Sequence, residues 1–179
     1  MKIACLGWGS LIWEPNELEL EIENKEWFTD GPYLPIEFTR FSNHEKVTLI
    51  IDEEARPVQV LWNIMKSKDL MYVRENLKVR EKTPTLDNIH YLISEENQTN
   101  KIHSIISEWA KLKKFDAVIW TGLSYSKKTN NKRPSLEDIL SHLSSLTDEK
   151  LIEPKEYIIN APKQIETEYR KHIMSNLGW

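Results

Sequence analysis

The chain has 179 residues, enough for one domain to bury a core without covalent staples. Hydrophobic residues make up 40% and charged ones 29%, a globular profile, and a net charge of −4 excludes the overall basic field that gathers nucleic acid. A single cysteine, Cys5, excludes an internal disulfide and any multi-cysteine zinc site.

Residues 2–6 read as a short buried strand that runs into Gly7-Trp8-Gly9-Ser10-Leu11-Ile12-Trp13. The two glycines invite a phosphate-binding reading, but the third glycine of a dinucleotide fingerprint and the Lys-Ser/Thr of a P-loop are both missing. Two readings stay open for this turn. Its backbone amides, freed by glycine, hold an anion such as a carboxylate, or the glycines only let a tight turn pack under tryptophans. The same glycines break the apolar start, which lacks a small-residue cleavage site and so does not read as a signal peptide. No run approaches the ~20 apolar residues of a membrane span, so no membrane partner is expected and the cytoplasm is the expected location.

Residues 16–34 are acidic and irregular, with a turn at Gly31-Pro32. Three strand-like runs follow, 36–42, 46–52 and 57–62, and their short connections predict an antiparallel meander. In the first, strict alternation puts Arg40 on one face with Ile36 and Phe38, either facing a pocket or structural.

From 68 to 82 the spacing turns helical, and Val73, Leu77 and Glu81 fall along one stripe. A carboxylate ending an apolar stripe is a candidate general acid or base. The plainer reading pairs Glu81 with a nearby lysine or arginine, and Arg80 reads as a surface charge. Residues 101–113 predict a helix with Ile102, Ile105, Ile106, Trp109 and Leu112 on one face, and 115–120 predict a central strand. Lys127, Lys128, Lys132 and Arg133 cluster in a loop, read as a solvated loop or an anion contact. Ser135 opens a capped helix, and helical patterns at about 153–161 and 163–176 close the chain. Trp179 leaves three placements open: docked back, docked across a homodimer, or frayed.

The five histidines form no metal-binding pair, and no metal is expected. An unrelated hydrolase would need His44 or His90 within reach of a nucleophile such as Ser10. The fold class is α+β on one domain, with 1–122 as a sheet-containing core holding the site and 123–179 as a helical part packed on it.

The stretch G-S-L-I-W at residues 9–13, with Pro15 soon after, resembles the start of the ChaC-type γ-glutamylcyclotransferases. RFSNHEKVTLII, from Arg40, is similar to that family's arginine-phenylalanine strand, short loop and valine-rich strand, and NLKVREK, 76–82, to its segment bearing the catalytic glutamate. The matches keep chain order and span residues 3–82. Trp8 replaces the family's tyrosine, Lys82-Thr83-Pro84 replaces a glycine-tyrosine pair, and the loop from Ser42 to Lys46 is shorter. Beyond residue 100 no match is seen.

The resemblance implies a small mixed, largely antiparallel sheet curled towards a barrel, with helices around it. It implies release of 5-oxoproline from a small γ-glutamyl substrate, without metal or cofactor, with Glu81 as the acid/base. Gly7, Trp8, Gly9, Ser10 and Leu11 would bind a substrate carboxylate, with Arg40 as a further substrate-binding residue. The alternative on the same scaffold is a non-catalytic module that binds a small ligand or a partner.

Overall fold

The computed structural model describes all 179 residues. It is α+β, with strands β1 (Ile3–Gly7), β2 (Tyr33–Phe41), β3 (Val47–Ile51), β4 (Pro57–Gln59), β5 (Leu61–Ile64), β6 (Ile89–Ile93) and β7 (Ala117–Thr121). The helices are α1 (Leu70–Arg80), α2 (Lys101–Lys113), α3 (Leu136–Ser144), α4 (Asp148–Asn160) and α5 (Glu168–Leu177). The chain divides into two compact units. The first comprises residues 1–7, 11–34 and 59–122; the second comprises 8–10, 35–58 and 123–179. No helix is long and apolar enough to cross a membrane.

The first unit carries a four-stranded sheet in the order β5-β1-β7-β6. β1 runs parallel to β7 and antiparallel to β5, and β6 is antiparallel to β7. β1 shows no hydropathic alternation because all five of its residues are buried, as a strand covered on both faces requires. α1 starts where the Asp69 carboxylate accepts the N–H groups of Met71 and Tyr72, and it buries Val73 and Leu77, one turn apart, against Cys5 and Leu11. Lys82, at φ 50°, takes the left-handed conformation that ends the helix. α2 matches the expected span, but Leu112 is 83% exposed. The buried face centres on Ile102, Ile106 and Ala110, and Leu112 lies about 120° around the helix from it. Trp62, Trp109 and Phe115 pack ring against ring, and the indole N–H groups of both tryptophans donate to Asp30.

The second unit carries a three-stranded sheet in the order β3-β2-β4, together with α3, α4 and α5. The sheet corrects the expected meander. The Asp52 N–H still bonds Pro35 O at the start of β2, and the chain then returns along β2's other edge. The Ser135–Asp138 capping box is present as expected. α4 begins at Asp148 and tolerates Pro154 within it, while α5 waits for the Thr167 cap, whose hydroxyl accepts the N–H of Arg170. The connection between them is locked by Arg170, which donates to the carbonyls of Ile159, Ala161, Pro162 and Ile165.

Neither sheet closes into a barrel, which corrects the expectation of a single curled sheet. The cause lies at Val60. Residues 57–62 read as one strand, yet Val60 leaves both ladders to exchange hydrogen bonds with Gly31 and Pro32. Gly31 has to be glycine there, since a Cβ would stand 2.3 Å from Val60 O. The run is thereby cut into β4, which belongs to one sheet, and β5, which belongs to the other.

Candidate functional site

Gly7 is the last residue of β1, and the turn that leaves it is largely inside the protein, with Trp8 5% exposed and Gly7, Gly9 and Leu11 buried. Neither Gly7 nor Gly9 has positive φ, so the turn does not need glycine for its backbone angles. It needs glycine for room. A Cβ on Gly7 would lie 2.7 Å from Ile12 Cδ1 and 3.0 Å from the Trp27 ring. A Cβ on Gly9 would lie 2.5 Å from the hydroxyl of Tyr157 on α4. Side chains therefore use some of the space that glycine opens. The N–H groups of Trp8, Gly9 and Leu11 donate no hydrogen bond within the chain, so they are uncommitted donors.

Glu81 follows α1 directly as its C-cap, and its N–H donates to Leu77 O. The buried Leu77 fixes the turn below it, and the carboxylate is held close to the interior, with its side chain 15% exposed. Arg80 Nη1 donates to Glu81 Oε1 at 2.5 Å, while Oε2 receives no hydrogen bond. The expectation that Arg80 is a surface charge is corrected: its side chain is 6% exposed and also donates to Glu14 O through Nε and Nη2. Nothing in the helical periodicity signals this, because the partner carbonyl lies 66 residues away. Burial first, and then Glu81, push the Cys5 thiol far above its ordinary range, and Arg80 opposes them. Gly7, Leu11 and Glu81 belong to the first unit; Trp8, Gly9, Ser10 and Arg40 belong to the second.

Arg40 departs from strict alternation. The β2–β3 register slips by one residue between Phe38 and Arg40, so that Phe38 faces Leu49 and Arg40 faces Thr48. The grouping of Arg40 with Ile36 and Phe38 on one face does not carry through such a bulge. Of the basic loop cluster, Arg133 is tied to the interior: its Nε donates to the fully buried Asp52 at 2.8 Å, and Nη1 donates to Tyr169 OH at 2.6 Å. Asp52 also accepts the hydroxyl of Tyr125, whose pKa is pushed up to about 12, by burial first and then by this bond.

His44 sits on the exposed β2–β3 loop with φ 55°, and His90 packs edge-on against Trp120. No group of three or more histidine, cysteine or acidic side chains could hold a metal ion. A surface recess of about 330 Å³ in the first unit, lined by Lys2, Glu23, Met65, Lys66, Lys68 and Asp116 among others, contains none of the expected site residues. No protein-family model, curated protein or solved structure matches this chain.

Proposed function

We propose that the chain is a γ-glutamylcyclotransferase-like enzyme that releases 5-oxoproline from a small γ-glutamyl substrate. The observation that carries the proposal is the state of Glu81: an enclosed carboxylate with one oxygen held by Arg80 and the other without a hydrogen bond. An oriented, half-engaged carboxylate is what proton transfer to and from nitrogen requires.

In the reaction, the neutral α-amine of the γ-glutamyl group attacks its own γ-carbonyl carbon. A nitrogen–carbon bond forms, closing a five-membered ring, and the bond to the leaving nitrogen breaks. Glu81 takes a proton from the attacking amine and returns it to the departing one. The nucleophile is already attached, so proximity supplies much of the acceleration. The amide of Leu11, in the same unit as Glu81, binds the substrate carboxylate. The cytoplasm is the proposed location.

The packing of Tyr157 against Gly9 favours the second reading, a module that binds a small ligand through this turn without turning it over. One experiment decides between them. The protein is incubated with glutathione and a panel of γ-glutamyl amines and amino acids in oxygen-18 water, and the products are read by mass spectrometry. Unlabelled 5-oxoproline is expected. Labelled glutamate would show hydrolysis instead, and binding of a panel member without product would support the module.

A further inference from the structure

Arg40 differs from the charged groups around it in that its side chain has no partner of any kind. In the second unit Asp52 is matched by Arg133, Lys46 by Glu153, and Arg170 by four carbonyls. Arg40 is half-buried on β2, yet its side chain forms neither an ion pair nor a hydrogen bond, and its Nε is buried without a partner. The hydroxyl of Thr39, in the same bulge, is also buried and unpartnered. Burial lowers the Arg40 pKa, and the group that offsets this is Tyr157. A buried guanidinium N–H without an acceptor is unfavourable, and such a donor is kept where a ligand supplies the missing partner.

The surroundings hold the backbone of the bulge in place. Thr48 Oγ1 donates to the carbonyl of Arg40 at 3.3 Å and pins the bulge. Tyr157 is oriented by an edge-on contact with Phe38, ring centroids 6.3 Å apart, and its hydroxyl stands over Gly9. A planar cation with none of its donors engaged by the chain matches a carboxylate, which accepts two parallel N–H bonds.

We infer that Arg40 is a receptor for the carboxylate of a small-molecule ligand. This subsite does not depend on the cyclisation chemistry and is read by binding rather than by turnover.

The test uses the full chain labelled with nitrogen-15 arginine. Glutarate is titrated in while the Arg40 Nε–H resonance is followed, with inorganic phosphate as a second arm. A saturable shift with glutarate is expected. By calorimetry, Arg40→Gln should weaken glutarate binding about tenfold or more, with partial recovery in Arg40→Lys. Arg40→Met should unfold at an equal or higher temperature than the natural chain. No shift with glutarate, or a response to phosphate alone, overturns the carboxylate receptor. A marked drop in melting temperature for Arg40→Met also overturns it, because the charge would then be holding the fold.

Discussion

Two carboxylate–arginine pairs, one in each unit, are built to different ends. Asp52 is fully buried and its lone pairs are used: Oδ1 accepts Tyr125 OH and the N–H of Glu54, and Oδ2 accepts Arg133. Glu81 is 15% exposed, accepts Arg80 on one oxygen and leaves the other open. Saturation marks a carboxylate that holds structure, since each unmet acceptor in the interior is a cost. An open lone pair next to a fixed cation marks one with room for a proton. Residue type and burial alone do not separate the two; the count of engaged oxygens does.

That difference can be broken by exchanging charge for amide at each site. The largest expected effect is Glu81→Gln, which should lower 5-oxoproline release by ~10²–10⁴-fold while circular dichroism shows a folded chain. Asp52→Asn should do the reverse. It removes the buried charge facing Arg133 and leaves it Tyr169 and Glu54, so unfolding in urea should show a loss of about 1–3 kcal/mol, while turnover per folded molecule stays close to the natural value. If Asp52→Asn silences turnover as Glu81→Gln does, the contrast between the pairs fails.

A similar loss of stability is expected at the turn. Gly9→Ala places a methyl group against the Tyr157 hydroxyl and should cost about 1–3 kcal/mol in the same urea experiment. No loss would mean that the tyrosine moves aside freely.

The smallest effect concerns Glu37 on β2, an enclosed carboxylate with no cation. Both of its oxygens accept backbone N–H groups, from Phe38 and Tyr169. Burial outweighs those bonds and raises its pKa above the ordinary 4.5. The folded state therefore holds the proton more tightly than the unfolded chain. The stability this contributes is complete below the ordinary value and is lost as pH rises through the raised one. Glu37→Gln should flatten the pH dependence of the urea midpoint across that window, and an unchanged slope would show that Glu37 is not its source.

Local elements were legible because their signals are local. The Ser135–Asp138 box and the apolar runs of β1 and β7 each involve neighbours in sequence. What escaped depends on distant partners. Val60 cuts a continuous apolar run because Gly31 and Pro32 take its hydrogen bonds. The β2 bulge displaces Arg40 from a face that alternation predicts. Arg80 looks solvated until the Glu14 carbonyl is brought to it. For the candidate site, spacing found Glu81 on the Leu77 stripe but could not tell which of its oxygens is engaged, the feature on which its proposed role rests.

The most direct measurement of that role is 5-oxoproline release from the γ-glutamyl panel by the natural chain and by Glu81→Gln at matched folded concentration. Product from the natural chain that vanishes in the variant is the predicted result. Product that survives Glu81→Gln undiminished would contradict the account, because the proton would then be moving through another group.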